Sequence, residues 1–189
     1  MGRTLNKIIT FATSNKGKIL QANTCLQKFG ITVTPVGLAV PEIQSHDSLK
    51  ISEAKAKSAY QIIGKSLVIC DFMWSINALN GFPGGYMKDI VHWFKPDDFL
   101  ALMHGKKDRT ILLTETVTYY DGSILKSFSS EYPGNITQDA RGKSGVSIDQ
   151  VVVYESQSDT IAECLDQKKP TRDLSESAWQ KFGNWYVSK

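Results

Sequence analysis

Hydrophobic residues recur along this chain with two different spacings, which predict strands and helices in alternation. Runs of β-branched and aromatic residues are typical of buried strands, and three such runs occupy residues 8–12, 31–36 and 67–70. Apolar residues three and four positions apart are typical of a helical face, and they span residues 17–29 and 48–63. Each predicted helix is followed by a glycine, which readily ends a helix. The first half therefore predicts a βαβαβ unit.

The second half of the chain predicts paired strands in place of this alternation. Asp121-Gly122 is a strong hairpin signal between two β-rich stretches. The predicted elements are helices at 87–94, 96–104 and 173–186, and strands at 110–120, 124–132 and 151–154. We therefore expect one α/β domain over residues 1–189, with a mixed central β-sheet flanked by helices and two lobes around a cleft.

Composition and charge exclude several classes of function. The 189 residues carry a net charge of +3 and no dense basic stretch, whereas nucleic-acid binders usually show a strongly basic patch, so we expect no nucleic-acid partner. No apolar run reaches the roughly 18 residues that a membrane-spanning helix needs, and the N-terminal stretch does not resemble a signal peptide. Cys25, Cys70 and Cys164 are widely spaced, which predicts reduced thiols and a cytoplasmic protein without membrane attachment.

The segment between the first strand and the first helix is a candidate anion site. It reads Thr13-Ser14-Asn15-Lys16-Gly17-Lys18. Helix N-termini present free N–H groups and the positive end of the helix dipole. The Asn15 amide could donate to a phosphate oxygen, and Lys16 or Lys18 could offset its charge. The spacing of a Walker loop is absent, so an ordinary capped turn remains the alternative.

Two acidic residues are candidates for a metal site. Asp71 is expected at the end of the apolar strand 67–70, and ligands of α/β sheets collect at the carboxyl ends of strands. Glu42 lies in the loop segment Pro41-Glu42-Ile43-Gln44. Mg²⁺ on a polyphosphate typically uses one or two protein carboxylates, so Glu42 matters only if it converges with Asp71. Solvated carboxylates are the alternative.

Together these motifs resemble the inosine/xanthosine triphosphate pyrophosphatase family. ATSNKGK is similar to the family's T-x-N-x-x-K phosphate loop, PEIQ to its metal-site segment, and ISEAKAKSA to a helix that presents a lysine, here Lys55. LVICDFMWSINALNGFPGGYMK resembles the family's central block, an acidic pair followed by AL-x-G-x-PG-x-Y-x-K, which places Asp71 and Lys88. GVSIDQVVV stands where the family has G-F-G-(Y/W)-D-P-x-F and keeps Asp149, while TIAEC resembles T-(F/Y)-A-E-(L/M) and precedes Lys169.

The resemblance implies Mg²⁺-dependent hydrolysis of a nucleoside triphosphate to a nucleoside monophosphate and pyrophosphate. Glu42 and Asp71 would hold the Mg²⁺, and Asp71 would also be the catalytic residue that orients or deprotonates the attacking water. The implied substrate-binding residues are Thr13, Ser14, Asn15, Lys18, Lys55, Lys88, Asp149 and Lys169. A homodimer is also implied, with the loop after Pro83 and its neighbouring helices at the interface.

The sequence departs from the family pattern at several positions. Cys70 replaces one member of the acidic pair, and bulky Phe72 and Met73 follow it in place of small residues. Val146 and Ile148 replace the aromatic residues of the base site, and the family's Ser-His-Arg is absent from residues 170–175. Stacking is typically worth ~1–3 kcal/mol per base, so we expect altered base specificity. The alternatives are a catalytically weak homologue that acts as a nucleotide sensor or interaction module, and an unrelated α/β binding protein.

Overall fold

The computed structural model describes residues 7–189. The expectation that the N-terminus carries no signal peptide falls partly on residues 1–6, which lie outside the described residues. Short 3₁₀ turns occupy Gln27–Phe29, Asn77–Leu79 and Ser147–Gln150. The strands are β1 (Lys7–Ala12), β2 (Ile31–Val36), β3 (Leu67–Ile76), β4 (Phe82–Gly84), β5 (Thr110–Tyr120), β6 (Leu125–Ile136) and β7 (Val152–Tyr154). The helices are α1 (Lys16–Leu26), α2 (Ser48–Ile63), α3 (Met87–Trp93), α4 (Pro96–Leu102), α5 (Ile161–Asp166) and α6 (Ala178–Ser188).

The strands form one seven-stranded sheet, which is mixed as the sequence predicts, although the sequence predicts only six of its strands. Its order is β2-β1-β3-β5-β6-β7, and β4 pairs with β3. β1 is parallel to both of its neighbours, β2 and β3. The β3/β4 and β6/β7 pairs are antiparallel. The predicted α/β class with helices flanking a mixed sheet is therefore confirmed.

The chain divides into two compact units. The first contains the described residues up to Phe72 together with Glu115–Ser130 and Leu174–Lys189. The second contains Met73–Thr114 and Glu131–Asp173. Strands β3, β5 and β6 each contribute residues to both units.

In the first unit, alternate residues of β3 face opposite sides of the sheet. Val68 and Cys70 belong to an apolar cluster that includes residues of α1 and α6, whereas Leu67 and Ile69 pack with residues of α2. This alternation follows from the two-residue period of a strand. At the centre of the first cluster, Trp179 is fully buried, and its ring meets that of Phe11 edge to face at 5.0 Å. Truncation of such a buried aromatic residue typically costs about 3–5 kcal/mol.

The structure corrects the expected position of Asp71. The sequence predicts that the third strand ends at Cys70, but β3 continues to Ile76, so Asp71 lies within the strand. The extension forms because β4, in a stretch expected to be a loop, pairs with Trp74, Ser75 and Ile76. Asp71 nevertheless lies beyond Val68, the last β3 residue paired with β1. Strand β1, which ends at Ala12, has therefore stopped pairing with β3 before Asp71.

Local capping corrects two further boundaries. The last helix begins at Ala178, later than the predicted Asp173, because the Ser177 side chain caps it by accepting a hydrogen bond from the Gln180 N–H. Helix α5 was not expected from periodicity, since it is only six residues long. It begins after Thr160, whose hydroxyl accepts from the Glu163 N–H while the Glu163 carboxylate accepts from the Thr160 N–H. This reciprocal pair is a capping box.

The second unit has an aromatic core of its own. The ring of Phe94 lies 6.0 Å from that of Phe82 and 5.2 Å from that of Phe99, while Trp74 stacks on Tyr154 at 6.1 Å.

Across residues 7–189, none of the helices combines the length and the apolar character that a membrane crossing requires.

Candidate active site

The connection from β1 to α1 forms a capped helix N-terminus. Asn15 is the N-cap of α1: its Oδ1 accepts a hydrogen bond from the Lys18 backbone N–H at 3.0 Å. The Asn15 N–H in turn donates to Thr13 Oγ1 at 3.1 Å. The cap uses the amide oxygen, so the amide nitrogen is the group that Asn15 can offer to a phosphate. Ser14 and Asn15 are exposed, and the positive end of the helix dipole lies beside them.

The Lys18 side chain extends from α1 to strand β3. Its Nζ donates a hydrogen bond to the Cys70 carbonyl oxygen at 2.7 Å and lies 5.1 Å from the centre of the Phe72 ring. Both contacts are favourable for an ammonium, through the carbonyl dipole and through the ring face. A positive charge is thereby placed beside the backbone that precedes Asp71.

Glu42, Lys55 and Asp71 meet at one point of the first unit. Lys55 Nζ lies 2.6 Å from Glu42 Oε1 and 2.8 Å from Asp71 Oδ1. Only 16% of the Lys55 side chain and 15% of the Asp71 side chain are exposed, against 34% for Glu42. The two carboxylates that the sequence singles out therefore converge, and an ammonium lies between them.

Three elements place these side chains. The Asp47 carboxylate caps the start of α2 by accepting from the Leu49 N–H, and Ala56 and Ala59 hold that helix against one face of the sheet. Lys55 is the residue before Ala56. Asp71 follows Ile69 by two positions, so it faces α2 as Ile69 does. Glu42 comes from the connection between β2 and α2.

Charge pairing sets the protonation of Lys55. Burial by itself lowers the pKa of this ammonium, but the charge and hydrogen bond of Asp71, followed by those of Glu42, outweigh it. The net result is a Lys55 pKa above its ordinary value. The Lys55 ammonium therefore stays charged at neutral pH.

One atom of this cluster lacks a partner. Asp71 Oδ2 is buried and accepts no hydrogen bond, and a buried carboxylate oxygen without a partner is costly. Carboxylate oxygens are the ligands that Mg²⁺ prefers, usually one or two from the protein beside substrate phosphates. Glu42 and Asp71 fit that requirement. No group of three or more histidine, cysteine or acidic residues gathers as a self-contained metal cage anywhere in residues 7–189.

The side chains of Cys70 and Phe72 do not lie between the two carboxylates. Both belong to, or pack against, the apolar cluster on the α1 side of the sheet, whereas Asp71 contacts Lys55 of α2. Because neighbouring residues of a strand face opposite sides, the Cys70 thiol points away from the position where Glu42 and Asp71 converge.

Three predicted substrate-binding residues belong to the second unit. Lys88 is exposed in the first turn of α3. Lys169 Nζ pairs with Asp159 Oδ2 at 3.2 Å. Asp149 Oδ2 accepts from the Val146 N–H at 2.8 Å. Burial raises the pKa of Asp149 above its ordinary value, although the Val146 hydrogen bond and the charge of Arg172 oppose that rise.

Sequence reasoning assigned no role to Arg172, yet this residue is central to the second unit. Its guanidinium lies 4.7 Å from the centre of the Tyr132 ring and 6.0 Å from that of Tyr154, and its charge acts on Asp149. Tyr132, Tyr154 and Arg172 line a cavity of about 220 Å³ together with neighbouring polar groups. Because Tyr132 and Tyr154 are distant from Arg172 in sequence, no local signal marks this arrangement.

Ile148, at a position of the family's base site, is fully buried, whereas Val146 is 46% exposed.

Comparisons with known proteins show a family resemblance over most of the chain. The sequence profile of the Ham1 family matches residues 9–185. A dITP/XTP pyrophosphatase of Methanopyrus kandleri is 30% identical over 94% of this chain and 95% of its own length. Inosine triphosphate pyrophosphatase 2 of Trypanosoma cruzi is 32% identical over 87% of this chain and 84% of its own. Among solved structures, a HAM1 protein from Coxiella burnetii superposes with a TM-score of 0.77 at 20% identity, covering 97% of this chain and 100% of that one.

Proposed function

The chain belongs to the Ham1 family, and we propose that it hydrolyses nucleoside triphosphates to nucleoside monophosphates and pyrophosphate with Mg²⁺ and with altered base specificity. The observation that carries this proposal is the convergence of Glu42 and Asp71, with one buried Asp71 oxygen left without a partner. The names of the similar proteins support the substrate class.

The proposal gives each residue of the first unit a distinct task. Glu42 and Asp71 would hold Mg²⁺, which when bound offsets negative charge on the phosphate oxygens. Asp71 also orients or deprotonates the water that cleaves the anhydride between the α and β phosphates. The products, a monophosphate and pyrophosphate, account for both halves of the triphosphate and for the added water.

The remaining site residues bind the triphosphate. Thr13, Ser14 and Asn15 present the N-terminus of α1 to phosphate oxygens. The ammonium groups of Lys18, Lys55 and Lys88 stabilise the charge that develops during transfer. Asp149 and Lys169 are proposed as further substrate-binding residues.

Altered base specificity rests on the residues at the base end. A fully buried Ile148 offers no ring and no exposed surface to a base. The exposed Val146 has far less surface for stacking than an aromatic residue. The alternative is a catalytically weak homologue that acts as a nucleotide sensor or interaction module, and it is favoured by Cys70 and by the missing Ser-His-Arg. However, the Cys70 side chain lies in the core on the other face of the sheet from the carboxylates, so the enzyme is favoured.

The test is pyrophosphate release with Mg²⁺ from a panel of standard, deaminated and modified nucleoside triphosphates. Asp71→Asn should reduce kcat by about 10²–10⁴-fold, the usual contribution of a general base. Asp97→Asn, which changes an exposed carboxylate of α4, is the matched control and should retain activity. If wild type releases no pyrophosphate from any nucleotide yet binds one at micromolar concentration, the sensor replaces the enzyme.

We also propose a cytoplasmic homodimer that uses β4 and α3. Trp93 at the end of α3 is 72% exposed and Tyr86 before it is 48% exposed, and such apolar exposure is typical of interaction surfaces. Cys25, Cys70 and Cys164 are all buried and form no disulfide with one another, which suits a reducing compartment. Light scattering should give the mass of a dimer for wild type and of a monomer for Trp93→Glu.

A further inference from the structure

Lys55 occupies a position from which one cation contacts both Glu42 and Asp71. Its Nζ is within 2.8 Å of an oxygen of each carboxylate. The ammonium is largely enclosed, since 16% of the side chain is exposed. Two positive charges cannot share both carboxylates at such distances without strong repulsion.

We propose that Lys55 is an internal cation that holds Glu42 and Asp71 in their metal-binding arrangement, and that its ammonium leaves them for the phosphates on binding of the metal–nucleotide complex. The inference rests on the proposed function, whose site it deepens. Lys55 is thus a positioning residue in the free protein. Without a positive charge between them, the Glu42 and Asp71 carboxylates would repel each other across a partly buried space.

The exchange requires no backbone movement. A lysine ammonium sits on a flexible four-carbon stem with three rotatable donors, and two of these donors are used by Glu42 and Asp71. The backbone of Lys55 is fixed in α2, which is held to the sheet by Ala56 and Ala59. A swing of the side chain alone can therefore move the charge, while the helix keeps its position.

A consequence is that the nucleotide-free protein binds divalent metal weakly, because a metal ion on Asp71 and Glu42 would lie close to the Lys55 ammonium and be repelled by it. In the presence of nucleotide, the phosphates provide a new partner for the displaced ammonium. Metal and nucleotide therefore bind together more favourably than either does alone, a coupling that is reciprocal.

The experiment measures Mn²⁺ binding to the nucleotide-free protein by titration calorimetry. Lys55→Met should bind Mn²⁺ about tenfold or more tightly than wild type, because a competing positive charge has been removed. Lys57→Met, which removes an exposed lysine of the same helix, should bind as wild type does. In Lys55→Met, the further change Glu42→Gln should abolish the gain and so locate the bound ion.

Each outcome decides the inference. Equal or weaker Mn²⁺ binding by Lys55→Met overturns it. If Lys55→Met folds only with millimolar Mn²⁺, the metal has replaced the missing ammonium, as expected; if it stays unfolded with the metal, the inference fails. These measurements use no nucleotide. If the wild type shows no pyrophosphatase turnover, the proposed function is rejected, but the Mn²⁺ affinities of the variants still test the role of Lys55.

Discussion

The ammonium of Lys18 donates a hydrogen bond to the backbone carbonyl of Cys70, 2.7 Å away. The contact uses the main chain, so it does not depend on which side chain follows Val68 and Ile69 in the strand. The Cys70 thiol itself is buried in the apolar cluster. A cysteine at this position therefore leaves the placement of Lys18 intact.

Replacement of Lys18 by Gln is expected to weaken use of the triphosphate. The variant loses a charge fixed beside the Cys70 backbone, and loss of one electrostatic stabiliser typically costs about 10²–10³-fold in rate. Steady-state kinetics with an active nucleotide should show this as a fall in kcat/KM. Lys16→Gln, which removes an exposed lysine two residues earlier, is the comparison. Equal losses in both variants would contradict a specific role for Lys18.

Two substitutions of Asn15 separate helix capping from phosphate binding. Asn15→Ala removes the cap on α1 and should lower the free energy of unfolding by about 1 kcal/mol. Asn15→Asp keeps a capping oxygen but places a negative charge where the phosphates bind, so stability should be retained while KM rises. Thermal melts and substrate titrations on both variants make the distinction. Unchanged KM in Asn15→Asp would exclude this segment from the triphosphate site.

Introduction of an aromatic ring at Val146 should restore preference for purines. Val146 is 46% exposed, so a larger side chain can be accommodated without disturbing the core. Stacking worth ~1–3 kcal/mol per base corresponds to a roughly 5–150-fold gain in kcat/KM, and the ratio of kcat/KM values for purine over pyrimidine triphosphates should rise by a part of that gain because the larger purine stacks more strongly. Val146→Phe is measured beside Val146→Leu, which adds volume without a ring. A similar gain from leucine would show that stacking is not the cause.

The hairpin between β5 and β6 makes stability depend on pH. Asp121 accepts hydrogen bonds from the N–H groups of Ile124 and Ser123 and pairs with Lys189 at 2.7 Å. The Ile124 hydrogen bond and the Lys189 contact hold the pKa of Asp121 well below its ordinary range. A lowered pKa means that its stabilisation is fully present above the ordinary value of about 4 and is lost as the pH falls toward the folded value.

Asp121→Asn is therefore expected to lower the Tm at pH 7 and to matter less below about pH 4. Each kcal/mol lost should shift the Tm by about 2–4 °C for a chain of this size. The measurement is a series of thermal melts across that pH range. Asp139→Asn, at an exposed position, should show no such trend. If the Tm difference between wild type and Asp121→Asn grew as the pH falls, the expected loss of stabilisation by Asp121 in acid would be contradicted.

Much of the fold follows from local signals. The bounds of α2 match those predicted from the spacing of its apolar residues, and Gly64 ends it in the left-handed conformation at φ 69°. The resemblance to the pyrophosphatase family, inferred from short motifs, is confirmed by the family profile and by the similar proteins. Motifs of this kind are readable because a cap, a turn or a strand uses residues within a few positions of one another.

At the site, local sequence patterns do not predict which charged side chains contact each other. The sequence predicts that Glu42 matters only if it meets Asp71, but not that Lys55 lies between them, since Lys55 is 13 and 16 positions from its two partners. Likewise, no periodicity places Arg172 over Tyr132.

By itself the sequence determined the secondary structure around β1, α1 and α2 and the residue types available for phosphate and metal chemistry. Only the tertiary structure decided that β3 continues through Asp71, that the Cys70 thiol faces the core, and that Lys55 bridges two carboxylates. The reason is physical: strand length depends on a partner strand, and which charged groups meet depends on how separate elements pack. Neither is encoded within a few neighbouring residues.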